Sequence, residues 1–384
     1  MNRTLSDYFI TTVIEMRTSG ETYDVISEKL GTTADAVRSC WRRYQYLGVT
    51  SDEAVSAKSI KQVALTKRNN SMTAKENRAL LQEHLTVQDI LEQIKEMTGS
   101  LNKKKSPKAP AKAKGRTAMT MEAMISDVHV GKKTDTFNLA VCRARLRHFT
   151  EVFLGEVERN NKIYNVERLI LSFLGDNIEH SNMHGLESMV GCEFSNPEQI
   201  KWAIELFLTE IILPISALGI PVDIIGIAGN HDREGEKRTF NTPGKNSFAW
   251  IIYETLRLMT TQLGLSHVSW TIPEGAYLVI NVYGNNFLHE HGDNVRGNNY
   301  PTINTHLSNR STQIGEILHG IRLGHYHRYT HYDNGRIIIN SSVCGADSYS
   351  DVLGYTSLAG QVINYYVKTA NRKSSFFRSF LVQL

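Results

Sequence analysis

The stretch RLILSFLGDNI, residues 168–178, decides the fold of this chain. It is an apolar run of strand length that leads directly to Gly-Asp-Asn and so places Asp176 just past the end of a predicted strand. Residues 222–232, VDIIGIAGNHD, have the same design, because an apolar run leads to Gly-Asn-His-Asp. Helical stretches separate such runs, and this alternation favours an α/β domain with functional groups on loops beyond the strand ends.

Four further apolar runs extend the pattern. They cover residues 121–126, 277–282 and 318–323, and a last run, 336–343, follows an Asn-Gly turn signal typical of a hairpin. Side chains of metal-ligand types follow five of the six runs. In chain order these are Asp127 and His129, then Asp176, then Asn230 to Asp232, then His289 and His291, and finally His325 and His327.

These five clusters supply carboxylates, an amide oxygen and imidazoles, but no cysteine. Such a set suits Mn²⁺, iron or Zn²⁺ and hardly suits Ca²⁺ or copper. A single Asp-x-His or Gly-Asn-His occurs often for structural reasons or by chance. Five clusters in order, each following a predicted strand, are a much stronger signal, because loops beyond adjacent strands converge on one pocket. We therefore predict a metal site there.

In the order D-x-H, G-D, G-N-H-D, H-G and G-H-x-H, these motifs make residues 119–345 resemble the calcineurin-like metallophosphoesterases. The resemblance implies an α/β fold, a four-layer αββα sandwich with two divalent metal ions at the carboxyl ends of the strands. Mn²⁺ is the expected ion, and iron or zinc also fit. The implied ligands are Asp127, His129, Asp176 and His327 for one metal and Asp176, Asn230, His291 and His325 for the other, so that Asp176 bridges the pair.

The ligand chemistry explains why phosphoester hydrolysis needs such a site. Two cations would neutralise the phosphate, lower the pKa of a bridging water and align the resulting hydroxide for in-line attack. Asn230, a neutral ligand, would leave the site electrophilic. His231 is then available to protonate the leaving oxygen or to stabilise charge in the transition state, with Asp232 orienting its ring.

Some positions near the motifs stay open. His289 and His291 are two residues apart, and we favour His291 as the ligand because Gly292 follows it directly, as in the family motif. Other polar residues near the second and fourth clusters are either substrate contacts or ordinary surface residues: His180, His184, Arg296, Asn298 and Asn299.

The sequence pattern of the N-terminal region is helical and differs from that of the α/β domain. Residues 4–17, 21–30 and 32–46 have helical patterns, and the second and third resemble a helix-turn-helix within a predicted domain of residues 1–50. Such trihelical units bind DNA or dock proteins. In the DNA reading, three residues contact phosphates or a groove: Arg38, Arg42 and Arg43.

Residues 51–98 form a predicted helical extension. A helix over 73–97 opens with a capping box of Thr73 and Glu76, and its apolar rhythm is compatible with packing on the first domain or with a homo-oligomer. A basic linker follows at 99–118, with lysines, prolines and no acid, before the catalytic domain at 119–384.

Composition sets the remaining bounds. The 384 residues carry a net charge of +4, with +7 in residues 1–118 (20 basic and 13 acidic) and −3 in the remainder (23 and 26). A basic segment joined to a slightly acidic body suggests a polyanion-binding appendage. Four scattered cysteines, no signal-peptide pattern and a longest apolar stretch broken by Glu205, Glu210 and Pro214 suggest a reduced cytoplasmic protein without membrane spans.

The motif details narrow the substrate class. Protein Ser/Thr phosphatases show Asp-Arg-Gly after the second motif and Gly-Asn-His-Glu at the third, whereas this chain has GDNIEHS and GNHDRE. It is closer to the phosphodiesterase and nuclease branch, and the compact fusion is reminiscent of phage-encoded phosphoesterases. The leading hypothesis is a DNA-directed metallonuclease. The alternatives are a small-phosphoester hydrolase whose N-terminal domain binds protein or regulates assembly, and a non-catalytic DNA-binding protein on a phosphoesterase scaffold.

Overall fold

The computed structural model describes residues 7–44, 115–181, 183, 191–234, 242–345, 358–368 and 375–384. The chain divides into two compact units, Met1–Thr86 and Val87–Leu384. Three subjects of the sequence predictions lie outside the described residues: the helical extension over 51–98 with its helix over 73–97, the linker up to residue 114, and His184.

Residues 7–44 of the N-terminal unit form three helices close to the predicted ones: α1 (Asp7–Thr18), α2 (Tyr23–Lys29) and α3 (Ala34–Tyr44). Thr22 caps α2 by accepting a hydrogen bond from the backbone N–H of Val25. The three helices share a small apolar core made of Ile10, Val13, Ile14, Ile26, Val37 and Cys40. The helix-turn-helix assignment itself stays a prediction.

Eleven strands occur in the described part of the larger unit. They are β1 (Ala118–Ile125), β2 (Asn165–Phe173), β3 (Val222–Gly226), β4 (Val268–Thr271), β5 (Tyr277–Val282), β6 (Asn285–Glu290), β7 (Gly320–Leu323), β8 (Thr330–Tyr332), β9 (Ile337–Ile339), β10 (Gly360–Val367) and β11 (Phe376–Gln383). They form a six-stranded sheet, ordered β11-β10-β1-β2-β3-β4, and a five-stranded sheet, ordered β5-β6-β7-β9-β8. The motif-bearing strands run parallel within each sheet: β1, β2 and β3 in the first, and β6 and β7 in the second.

The helices in the described residues of this unit are α4 (Leu139–Asn161), α5 (Asn196–Leu206), α6 (Leu213–Ser216), α7 (Phe248–Gln262) and α8 (Tyr300–Ile314). A π-helical segment, Phe207–Ile212, joins α5 to α6. Side-chain caps begin several of them: Asn138 opens α4 and Ser247 opens α7. No helix among the described residues is long and apolar enough to cross a membrane.

Three apolar clusters show four layers. Because strand residues alternate between faces, Met121 and Ala123 of β1 pack with α4, α5 and α7, whereas Met124 faces the second sheet. The cluster between the sheets joins Met124 and Ile170 to Phe287 and Ile338. On the far face of the second sheet, α8 packs on β6, β7 and β9. The αββα order implied by the family resemblance is confirmed.

The predicted strands agree with the structure except around the fourth motif. There the run 277–282 does not lead straight to the polar cluster, because β5 and β6 form a hairpin and His289 lies within β6. Tyr283 and Gly284 make the turn with φ values of 51° and 85°. The first strand also begins at Ala118, at the end of the predicted linker, where the backbone N–H of Asn165 donates to Thr117.

Candidate metal centre

The five motifs meet at one edge of the two sheets. Asp127 follows β1, Asp176 follows β2, and Asn230 follows β3, all from the first sheet. His291 and His325 follow β6 and β7 of the second sheet. Since the carboxyl ends of these parallel strands point the same way, the loops converge there.

One group of ligand atoms belongs to Asp127, His129, Asp176 and His327, and its atoms lie within 4.8 Å of one another. His327 Nε2 lies 3.3 Å from Asp127 Oδ1 and 3.1 Å from His129 Nε2. His129 Nε2 lies 3.9 Å from Asp176 Oδ2. Two carboxylates and two imidazole nitrogens directed at one point are a ligand set for a divalent metal ion.

A second group consists of Asp176, His291 and His325, again with ligand atoms within 4.8 Å of one another. His291 Nε2 lies 3.2 Å from Asp176 Oδ2 and 3.1 Å from Asn230 Oδ1. Asp176 is therefore common to both groups, which is the position required of a bridging ligand. The structure brings together all seven residues that the sequence singled out as ligands.

The choice between His289 and His291 follows from their ring contacts. His291 Nδ1 donates a hydrogen bond to the backbone carbonyl of Leu174 at 2.7 Å, so Nε2 is the nitrogen directed at the second group. His289 Nε2 instead lies 2.7 Å from Glu122 Oε1, deep between the sheets. His291 is thus the residue placed to bind metal, as the Gly after it suggested.

Five of these residues adopt left-handed backbone conformations. The φ values are 51° for Asp127, 49° for His129, 52° for Asp176, 70° for His325 and 52° for His327. Residues other than glycine avoid this region, which costs about 1–3 kcal/mol at each position. Such strain persists only where surrounding contacts fix the backbone, and it clusters at functional sites.

Hydrogen bonds between the loops fix this backbone. The Asp127 N–H donates to Gly175, and both carboxylate oxygens of Asp127 accept from the N–H of His325 at 3.0 and 3.1 Å. The His231 N–H donates to Asp176 Oδ1 at 2.7 Å. At Gly229 a Cβ atom would lie only 2.2 Å from Asp176 Oδ1, so the third loop needs glycine to approach the second so closely.

The carboxylates and imidazoles of the site shift one another's pKa values. Burial opposes protonation of His291, but the carboxylate of Asp176 overcomes it and raises the pKa to about 10. The carboxylate of Asp127 raises the pKa of His327 in the same way, although burial opposes the shift. Burial, followed by the charge of His291, lowers the pKa of His325 to about 4. The two buried carboxylates therefore hold positive charge at this point, in the place where a cation fits.

His231 is oriented by a different residue from the one predicted. Its Nδ1 donates to the backbone carbonyl of Glu179 at 2.7 Å, and its ring meets the ring of His129 edge-on at 4.7 Å between centroids. The expectation that Asp232 orients this ring is wrong. The buried Asp232 carboxylate accepts from the N–H groups of Gly229 and Asn177 and from the Asn177 side chain. Asp232 thus braces the second and third loops.

Glu179 is a site residue that the sequence reasoning missed. Its Oε2 lies 2.8 Å from His129 Nδ1, and its Oε1 lies 3.8 Å from the ammonium group of Lys132. Burial opposes ionisation of Glu179, but His129 lowers its pKa to about 2. A carboxylate on the distal nitrogen of a metal-binding histidine orients the ring and raises its basicity. The only signal in the sequence was its place three residues after Asp176.

The remaining candidates differ in their placement. His180 is buried, with its ring against Phe248, and burial lowers its pKa to about 4, which does not fit an exposed substrate contact. Asn299 caps α8 by accepting from the N–H of Thr302. Arg296 and Asn298 are exposed on the loop after His291.

The predicted nucleic-acid contacts lie on α3 in the N-terminal unit. Arg38 is already engaged, because its guanidinium group pairs with Asp35 at 2.8 Å and lies 5.2 Å from the centre of the Tyr23 ring. Arg42 is exposed, and Arg43 belongs to the last turn of the same helix.

The four-layer αββα fold and the convergence of the motifs agree with the resemblance of the sequence to the calcineurin-like metallophosphoesterases. No family model matches the sequence, and no curated protein matches it. The chain is similar to the solved structure of Vps29 from Entamoeba histolytica complexed with Zn²⁺, with 12% identity, coverage of 68% of this chain and 98% of that one, and a TM-score of 0.28.

Two further solved structures are similar at the same level. A predicted phosphoesterase from Streptococcus pneumoniae has 12% identity, coverage of 69% and 98%, and a TM-score of 0.28. Vacuolar Protein Sorting 29 from Cryptosporidium parvum has 12% identity, coverage of 69% and 99%, and a TM-score of 0.29. The two sheets, their four layers and the placement of the motifs define the fold of this chain.

Proposed function

We propose that this chain is a metal-dependent phosphoesterase that hydrolyses phosphodiester bonds in DNA. One observation carries the proposal: five motifs from both sheets converge into two ligand groups that share the Asp176 carboxylate. Shared carboxylates are typical of sites that hold two divalent ions a few Å apart. Mn²⁺ is the proposed ion, and the oxygen and nitrogen ligands also suit iron or zinc.

The donor set fits two cations. Asp127, His129 and His327 would complete one site around Asp176, and Asn230, His291 and His325 would complete the other. When bound, the two ions would supply Lewis acidity that neutralises a phosphate and lowers the pKa of a water molecule.

The side chains around this site have their own tasks. Asp176 sets the separation of the two ligand groups, and its backbone is held by the loops beside it. We assign proton delivery to the leaving oxygen to His231, whose ring is held by the hydrogen bond from Nδ1 to the Glu179 carbonyl. Its ring lies edge-on to the ring of His129, a member of the first ligand group, and this proximity supports the proposed role.

DNA is the proposed substrate because of the charge distribution. Residues 1–118 carry a net charge of +7 and precede a catalytic unit of opposite sign. A basic appendage binds the phosphate backbone through counterion release, without regard to sequence, and would raise the local concentration of DNA at the metal centre. Arg42, exposed on α3, is available for such a contact.

One observation favours a second candidate, a hydrolase of small phosphoesters. Arg38 is held by Asp35 and by the Tyr23 ring, so one of the three predicted DNA contacts serves the N-terminal unit itself. In that case the N-terminal unit would bind protein or regulate assembly.

A single comparison tests the proposal. The full chain is incubated with Mn²⁺ or with a chelator, and cleavage of labelled double-stranded and single-stranded DNA is compared with hydrolysis of bis(p-nitrophenyl) phosphate. We expect Mn²⁺-dependent cleavage of DNA that is far more efficient than hydrolysis of the small ester. Hydrolysis of the small ester with intact DNA would favour the second candidate, and no hydrolysis of either would overturn both.

A further inference from the structure

A carboxylate lies between the two sheets, where apolar side chains are expected. Glu122 is the central residue of β1 on the face that also carries Met124, and it is completely buried. Its register partner on β2 is Ile170, which belongs with Phe287 to the apolar cluster between the sheets. A buried carboxylate is unfavourable unless it is paired and hydrogen-bonded, so its presence here needs a reason.

Five side chains, on four strands from both sheets, direct polar groups at Glu122. Tyr366 Oη donates to Oε2 at 2.5 Å, Ser172 Oγ donates to Oε1 at 2.6 Å, and His289 Nε2 lies 2.7 Å from Oε1. The Asn364 side chain donates to Oε2 at 3.0 Å, and Arg322 Nε lies 3.7 Å from it. We call Glu122, His289, Arg322 and Tyr366 the intersheet cluster.

Arg322 extends the cluster within the second sheet. Its Nε donates to Tyr366 Oη at 3.0 Å, so the tyrosine hydroxyl connects the guanidinium group to the carboxylate. Its Nη1 donates to the backbone carbonyl of Gly335 at 2.9 Å, and its Cζ lies 4.7 Å from the centre of the Phe287 ring. The side chain is fully buried and held on several sides.

Stability alone is a weak reason for this cluster. Replacing a buried ionic cluster by apolar side chains of similar volume is often neutral or stabilising, because the desolvation of the charges offsets their attraction. Such a cluster fixes the relative position of the two sheets, because each hydrogen bond sets a distance and an angle that apolar packing does not set.

Three members of the intersheet cluster lie on strands shortly before candidate metal ligands in the sequence. His289 precedes His291 by two residues, and Arg322 precedes His325 by three. Glu122 lies on β1 and precedes Asp127, in the loop after this strand, by five residues. Each ligand group combines residues of the first sheet with residues of the second, so a small displacement of one sheet would separate the ligands in both groups.

We infer that the intersheet cluster positions the two halves of the metal centre, with Glu122 as its centre. The inference rests on the proposed metal site. It explains why charged groups are buried between the sheets beneath five strained ligand positions, since strained loops stay in place only when their supports are fixed. Its members are positioning residues that act through the strands and touch neither metal nor substrate.

Adjacent tyrosines on β10 provide a matched test. Tyr366 faces the second sheet and donates to Glu122, whereas Tyr365 faces the helix layer and donates to the buried Glu156 at 2.6 Å. Tyr366→Phe and Tyr365→Phe each remove the hydroxyl group that donates a hydrogen bond to one buried carboxylate. We would measure Mn²⁺ affinity and stoichiometry of the metal-stripped full chain by calorimetry, Mn–Mn coupling by electron paramagnetic resonance, and thermal unfolding of every variant.

Tyr366→Phe should weaken Mn²⁺ binding about tenfold, in the range typical of outer-shell substitutions, and change the Mn–Mn coupling. Tyr365→Phe should bind Mn²⁺ like the wild type, even if its unfolding temperature falls as far as that of Tyr366→Phe. Equal Mn²⁺ binding by both variants, or equal weakening in both, would overturn the inference and leave the proposed function intact. If Tyr366→Phe does not fold, Glu122→Gln takes its place under the same criteria. A wild type that binds no Mn²⁺ would instead overturn the proposed function, and the inference with it.

Discussion

His291 Nε2 lies 3.2 Å from Asp176 Oδ2, and the opposite nitrogen of the same ring donates to the backbone carbonyl of Leu174. The carbonyl fixes the ring plane and which nitrogen faces outward. The imidazole therefore has one orientation, with Nε2 toward the carboxylate. The same pattern recurs at His129, whose distal nitrogen faces Glu179. The metal centre is therefore oriented by contacts on the outer side of its ligands.

Glu179→Gln tests this outer contact. The substitution keeps the size of the side chain and leaves the backbone carbonyl that holds His231, but it removes the negative charge beside His129. We expect metal affinity to fall about 10- to 100-fold, the usual effect of losing such a partner. Calorimetric titration of the stripped protein with Mn²⁺ measures it, with the exposed Glu151→Gln on α4 as control. Equal affinities in the two variants would mean that Glu179 does not support the metal centre.

His231→Ala separates proton transfer from metal binding. Because the ring contacts the site but is not one of the seven ligands, we expect normal metal content with turnover reduced about 10²- to 10⁴-fold, the range of general acid catalysis. The measurements are metal analysis and hydrolysis of a diester substrate at saturating Mn²⁺. His148→Ala, an exposed histidine on α4, should keep full turnover. Full turnover in His231→Ala would remove it from the mechanism.

The pH dependence of stability should reveal competition between protons and metal. The folded-state pKa of His291 is raised from 6.5 to about 10, so its contribution to stability is present below pH 6.5 and is lost as the pH rises toward about 10. The chelated protein should therefore unfold at progressively lower temperature across this window, and Mn²⁺ should reduce the loss. Thermal scans at several pH values measure both curves. If the unfolding temperature of a His291→Gln variant, measured with chelator, fell as steeply with pH as that of the wild type, the result would contradict this assignment.

Arg42→Ala tests the proposed DNA contact on α3. Loss of one phosphate contact should weaken binding at low salt and reduce the slope of log affinity against log salt by about 1. Fluorescence anisotropy with a labelled duplex measures the slope. Lys29→Ala, which removes an exposed positive charge at the end of α2, is the matched control. An unchanged slope in Arg42→Ala would exclude Arg42 as a phosphate contact.

Much of the fold and the convergence of the seven candidate ligands could be predicted from the sequence, because apolar runs form the strands and the motifs follow the strand ends. The hairpin of β5 and β6 escaped prediction for a local reason. Its turn places Tyr283 at a φ of 51°, a conformation for which tyrosine gives no signal, and no Asn-Gly pair marks the turn. The run before the fourth motif therefore looked continuous with it.

The misassigned roles have a different cause. Asp232 is adjacent to His231 in sequence, but its side chain points to the second loop, and the orienting group comes from Glu179. Which of two nearby carboxylates reaches a ring depends on how the loops cross, and the local sequence does not encode that. The intersheet cluster was not predicted for the same reason, because Glu122 and Arg322 come together only when the sheets pack.

The most direct test of the central claim is anomalous scattering from crystals of the full chain grown with Mn²⁺, for the wild type and for Asp176→Asn. We predict two manganese peaks a few Å apart in the wild type, one beside Asp127 and one beside His291, with the Asp176 carboxylate between them. In Asp176→Asn at least one peak should be lost. Manganese bound elsewhere in the wild type, or two undiminished peaks in the variant, would contradict the account.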